Sequence, residues 1–187
     1  TGSFPTIHEM NKFILSAGGI PTHTWLNGLS DGEKDIENLL AVAMSTGAAA
    51  LNVIPDRNYG DGVKSEILAN LYRVVELAEK LHLPLVMGTE MNSPGQKFVD
   101  DFDSPELKPL AAVFLKGAHI VYAHSVLQRA AHLGYTGDWA KNNFKTTADK
   151  NAFFETVGKK LQPAMQDKLA DLNDNADPQE ILRLIAG

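Results

Sequence analysis

Ala48-Ala49-Ala50-Leu51-Asn52-Val53-Ile54-Pro55-Asp56-Arg57-Asn58-Tyr59 is the stretch from which the fold is read. A compact apolar run, interrupted only by Asn52, follows Gly47 and ends abruptly in Pro-Asp-Arg-Asn. It is too short for a globular helix and apolar on both alternating sets of positions. That pattern fits a strand sandwiched between two layers, as in parallel sheets. The polar residues all fall at its carboxyl end.

Working outward, the same unit recurs. Upstream, Ser30 with Glu33 three residues on reads as a capping box, and Ile36, Leu39, Leu40 and Ala43 give one apolar face before Gly47. Before that, Thr6 with Glu9 opens a helix whose Ile7, Met10, Phe13 and Ile14 are spaced for one buried face. It ends at Gly18-Gly19, and Ile20 to Trp25 reads as a short strand. Downstream, a helix over Val63–Leu81 places Ile67, Leu71, Val74, Val75 and Ala78 on one face, and Leu83–Gly88 is the next strand. Ser104-Pro105 opens a further helix up to Gly117, and His119–Ala123 reads as a fourth strand. Strands recurring at intervals of about 30 to 35 residues match the length of a βα unit. From His124 onward the pattern turns helical, over His124–Leu133, Ala148–Leu161, Pro163–Leu172 and a last helix capped by Asp177-Pro178.

The fold class expected is therefore α/β, with parallel β/α units forming part of a (β/α) barrel over residues 1–135 and a helical extension over 136–187. Four such units do not close an eight-stranded barrel. The chain opens on Thr1-Gly2-Ser3 without methionine. It is read as a piece of a longer protein whose remaining strands lie in a missing N-terminal segment; an open sheet, or a barrel completed by a second copy, are the alternatives.

Composition narrows the partners. The 187 residues are 44% hydrophobic and 21% charged, and 17 Lys and Arg against 23 Asp and Glu leave a formal charge of −6. No stretch concentrates the basic residues, so nucleic acid is not an expected partner. No apolar run is read as membrane-spanning, and no signal peptide is apparent. Cysteine is absent, which removes thiolate chemistry and favours a cytoplasmic setting.

In parallel α/β sheets, ligands bind outside the carboxyl ends of the strands. The expected tips carry Thr22-His23-Thr24-Trp25; Pro55-Asp56-Arg57-Asn58-Tyr59; Thr89-Glu90-Met91-Asn92-Ser93; and Tyr122-Ala123-His124-Ser125. Each candidate has a plain structural alternative. His23 is a site group or a packed histidine, and Asp56 a site acid or a turn cap. Arg57 suits bidentate capture of a carboxylate or phosphate, or belongs to a surface ion pair. Glu90 and Asn92, two apart, point the same way in extended backbone and share one ion or substrate. His124 is a strand-end ligand or the first residue of a helix. The glycine-containing loops at Tyr59–Gly62 and Ser93–Gln96 match no phosphate-cradling motif. The Asp100-Asp101-Asp103 run lacks the ligand order of an EF-hand.

Ala17-Gly18-Gly19-Ile20-Pro21, and Leu77-Ala78-Glu79-Lys80-Leu81-His82-Leu83 followed by Gly88-Thr89-Glu90-Met91-Asn92-Ser93, resemble the C-terminal half of the PHP (polymerase and histidinol phosphatase) family of metal-dependent phosphoesterases. The likeness covers roughly residues 7 to 95. It implies a TIM-like barrel and hydrolysis assisted by a divalent metal (Mn, Mg or Zn). His23, Glu90 and Asn92 would be metal ligands; Asp56, Glu90 and His124 catalytic groups; and Arg57, Asn58 and Asn92 contacts to a small anionic substrate. The family's Ala-His-Pro becomes Thr24-Trp25-Leu26 here, and its Asp-x-His becomes Glu90-x-Asn92, an oxygen-rich set better suited to magnesium or manganese than to zinc. A second reading keeps the barrel without its metal, as a binder of a sugar acid or sugar phosphate. A lyase or isomerase on the same scaffold is a third.

Overall fold

The alternation of capped helices and short apolar runs yields a mixed α/β chain in the computed structural model. The structure describes every residue except Thr1, Ser3, Asp61, Asn92, Ser93, Lys97, Ala170 and Gly187. Two compact units form: a sheet unit, Pro21–Leu115, and a helical unit made of Thr1–Ile20 with Lys116–Gly187. The sequence reading places its boundary at residue 135.

In the sheet unit, β1 (Thr22–Trp25), β2 (Ala50–Val53) and β3 (Leu85–Met87) form a parallel sheet in the order β1-β2-β3. The register pairs His23 with Leu51 and Leu51 with Leu85, then Thr24 with Asn52 and Asn52 with Val86. Side chains alternate across a strand, so one face carries His23, Trp25, Leu51, Val53, Leu85 and Met87. The other carries Thr22, Thr24, Ala50, Asn52 and Val86.

The first face packs into the core with the crossover helices, through Ile36 and Leu40 from α3 (Ile36–Ser45) and Leu71, Val74, Val75 and Ala78 from α4 (Ser65–Lys80). The second is mixed, with Thr22 and Thr24 exposed, Asn52 and Val86 half-buried and Ala50 buried. The helix expected from Ser30 to Gly47 is broken at Asp35 into a single turn, α2 (Asp31–Lys34), and α3. α4 ends on bonds from the His82 N–H to the Glu79 carbonyl and from the Leu83 N–H to the Ala78 carbonyl. His82, at φ +55°, takes the left-handed position usually given to glycine.

The largest departure from expectation is α5 (Ala111–Ala131), which runs straight through the segment read as helix, break and fourth strand. Phe114, Gly117, Ile120, Ala123, Leu127 and Ala131 are buried at helical spacing of three to four. A glycine inside a helix costs about 1 kcal/mol against alanine, and burial along the whole face outweighs it. Contrary to the sequence reading, Lys108–Ala131 is long and apolar enough to cross a membrane by length and composition (mean hydropathy 1.4). Of that window, 44% is buried inside the structure.

In the helical unit, α1 (Ile7–Ser16) begins with the expected capping box, Thr6 and Glu9 each bonding the other's backbone N–H. Its apolar face is not buried as expected. Ile7, Met10 and Phe13 are 46%, 41% and 66% exposed, and the buried residue is Asn11. α6 (Asp138–Asn143), which the sequence reading omits, and α7 (Thr147–Lys160) bring Trp139, Phe144, Phe153 and Phe154 into one cluster of tilted and edge-on rings. Pro163–Leu169 is a 3-10 segment rather than an α-helix, and α8 (Pro178–Leu184) starts at the expected Asp177 cap.

Candidate functional site

The carboxyl ends of β1, β2 and β3 are tied together by side chain to backbone bonds. After β2 the chain turns through a 3-10 segment, Pro55–Arg57, that puts Asn58 beneath the surface. Asn58 is fully buried, and its amide donates to the carbonyls of Ile54 and Leu26, both at 2.8 Å. It locks the end of β2 to the end of β1, so the expected substrate contact is a structural clamp. After β1, the Glu33 carboxylate accepts from the N–H groups of Leu26 (2.6 Å) and Gly28 (3.2 Å). Glu33 therefore reaches back past Ser30 to pin the loop. Beyond β3, the Asp101 N–H donates to the buried Tyr59 hydroxyl at 2.7 Å.

On this frame the polar rim has two parts. The Arg57 guanidinium meets the Glu90 carboxylate through both Nε and a terminal nitrogen, joining the turn after β2 to the segment after β3. The pair is partly open to water, its side chains 38% and 28% exposed. On the open face, Asn52 donates to the Thr24 hydroxyl at 3.5 Å. A Cβ at Gly88 would stand 3.6 Å from the Asn52 side-chain oxygen, an ordinary van der Waals contact.

Of the residues expected at the site, Arg57 and Glu90 meet. Asp56 is half-buried in the turn one residue earlier. His23 stays on the opposite face from Thr24 and Asn52. Its half-buried ring is held below the usual imidazole pKa by burial, partly offset by the Glu33 charge. Asn92 lies outside the described residues.

His124 is neither on a strand nor in the sheet unit. It is buried in the middle of α5, where Nδ1 accepts the Tyr135 N–H at 2.9 Å. Burial lowers its pKa, and a bond to the Gly18 backbone partly offsets this. The neutral ring is a structural acceptor, and the signal for it was present: an apolar period of three to four on both sides of residue 124.

Whether these groups fit a divalent ion is decided by what faces Glu90. Its carboxylate is engaged by the Arg57 guanidinium through one oxygen, Oε2. Among the described residues no three His, Asp or Glu side chains converge closely enough to hold a metal. Asn92, one of the expected ligands, lies outside those residues.

Sequence reasoning also passed over Glu33, Tyr59 and the Thr24–Asn52 contact. Glu33 was legible only as a cap, because a backbone partner left no mark in the sequence pattern. Comparison with family models, with curated proteins and with solved structures finds no match to this chain.

Proposed function

We propose that the sheet unit is an arc of a (β/α) barrel that binds a small carboxylate- or phosphate-bearing molecule at the carboxyl end of its strands, without a catalytic metal. The observation that carries this reading is the Arg57–Glu90 pair bridging the ends of β2 and β3. The rim has a cation of its own, built for planar two-point recognition of an oxyanion. An ion pair this exposed contributes roughly 0.2–1 kcal/mol. A ligand oxyanion can therefore exchange for Glu90 on Arg57 at small cost. Asn52 and Thr24, on the face that helices α3 and α4 leave open, supply neutral hydrogen bonds for the rest of the molecule. Consecutive strands whose crossover helices share one face support the barrel reading, with Thr22, Thr24 and Asn52 toward its interior.

The test is calorimetric titration with inorganic phosphate, glucose 6-phosphate, gluconate and, as the neutral control, glucose. Phosphate- or carboxylate-dependent heat is expected. Arg57→Ala should abolish it and Arg57→Lys weaken it, whereas Glu90→Gln, which frees the guanidinium, should strengthen it. Binding that Arg57→Ala leaves unchanged, or no anion bound at all, overturns the reading. Manganese-dependent turnover of a phosphomonoester would instead restore the hydrolase expected from the PHP resemblance.

A further inference from the structure

The helical unit contains a cavity of about 530 Å³, lined by segments from α1, α5, α6 and the 174–175 loop. That size lies within the range of small-molecule sites. Its wall is built around Gln128. A Cβ on Gly18 would come within 2.8 Å of the Gln128 amide nitrogen, and one on Gly134 would overlap its amide oxygen. Two glycine turns thus clamp the carboxamide, with Gly18 in the left-handed conformation at φ +75°.

Fixed in this way, the amide makes, among the described residues, only a long 3.5 Å contact to the His132 Nδ1. His132 itself sits at φ +59°, the left-handed position that closes α5, with the Leu133 N–H bonded to the Leu127 carbonyl. Across the cavity, Asn142 and Asn143 project from α6, and Asn143 spends only its NH₂ group, on the Trp139 carbonyl at 2.9 Å.

The charge pattern selects the ligand. No lysine or arginine is among the described residues that line the cavity. Its two carboxylates are already engaged, Asp138 with Lys141 at 2.8 Å and Asp174 with the Asn175 amide at 2.8 Å. An anion would meet carboxylates with no cation to balance it. The amides that line it complete the set: Asn142 offers a donor and an acceptor side by side, and Gln128, Asn143 and Asn175 offer their carbonyl oxygens. Vicinal hydroxyl groups, which both give and accept, match that set.

We propose that this cavity is a binding site for a neutral saccharide, with Gln128 and Asn142 as its principal hydrogen-bonding groups. The site lies wholly within the helical unit, and its ligand is uncharged. It therefore stands or falls independently of the anion reading for the strand ends.

The experiment is saturation-transfer NMR and calorimetry on the full chain with glucose, galactose, mannose, xylose and lactose, alongside gluconate and spermidine. Saturable binding of at least one neutral sugar is expected. Asn142→Ala and Gln128→Ala should each weaken it about tenfold, the effect of losing a well-formed hydrogen-bonded pair. Arg57→Ala should leave it unchanged. Asn142 is exposed, so its substitution tests the site without challenging the fold; an unshifted melting temperature checks this. Failure of all five sugars to bind, sugar binding indifferent to both substitutions, or spermidine as the only ligand of the Gln128 and Asn142 site overturns the proposal.

Discussion

His124→Ala separates a structural histidine from a reactive one. The ring is 6% exposed and supplies the acceptor for the Tyr135 N–H, next to a tyrosine whose hydroxyl donates to Asn151 at 2.6 Å. Truncation strands a buried N–H, which costs about 1–3 kcal/mol. An imidazole-sized void of roughly 70 Å³ adds about 1.7 kcal/mol at some 24 cal/mol per Å³. The sum is about 3–4.5 kcal/mol, or a fall in Tm on the order of 10 °C for a chain of this length.

His124→Asn, which returns an acceptor near the same place, should recover part of the loss. Thermal unfolding followed by circular dichroism reads both. The pH dependence supplies a second arm. Burial holds the folded pKa of His124 below the unfolded value of about 6.5. The unfolded chain therefore takes up the proton first. The stabilisation is fully present above that pH and is lost as pH falls through the folded pKa. The parent should lose stability in that direction, and His124→Ala should lose less. If His124→Ala melts with the parent and keeps the same pH profile, the structural assignment is refuted.

Gly158→Ala should destabilise the helical unit. A Cβ there would lie 2.6 Å from the His119 carbonyl carbon and 2.8 Å from its Cα, so backbone must move. The overpacking cost of about 1–3 kcal/mol exceeds the roughly 1 kcal/mol of helix propensity gained. Gly32→Ala, with open space around it, should be neutral or mildly stabilising; urea unfolding of both variants against the parent checks the pair. Glu33→Ala leaves the Leu26 and Gly28 N–H groups without their acceptor. A loss of about 1–3 kcal/mol is expected, together with faster amide exchange at those two positions. Unchanged exchange there would mean that another group holds the loop.

How much of this could be read from sequence depends on where each side chain finds its partner. β1, β2, β3, α4 and the Asp177 cap were legible because local pattern and tertiary environment agree. The fourth strand was not. Gly117 and the compact run after it read as a break followed by a strand, and only contacts along the whole of Ala111–Ala131 decide for a helix. α1 shows the opposite failure. Its period identifies the apolar face correctly, yet Ile7, Met10 and Phe13 remain exposed, because hydrophobic spacing specifies a face and not what covers it. At the rim, chain order could align residues 56, 57, 58 and 90 with strand ends. It could not show that Asn58 turns inward to two carbonyls while Arg57 turns outward to Glu90.

That division of neighbouring residues bears on what the rim can do. A buried Asn58 fixes the turn from below, so the Arg57 backbone is held while its side chain stays partly exposed. Rigid backbone beneath a cation lowers the ordering cost of binding, since part of the positioning is complete before a ligand arrives. The same clamp predicts that Asn58→Ala acts twice. It removes two buried hydrogen bonds, for a loss of about 2–4 kcal/mol in stability, and it frees the turn that carries Arg57. On the anion-binding reading, anion affinity should then fall even though no group that touches the ligand has changed. Calorimetry performed well below the variant's Tm distinguishes the two effects. Reduced stability with undiminished anion affinity would mean that Arg57 needs no such support, and the rim would then owe its affinity to charge alone.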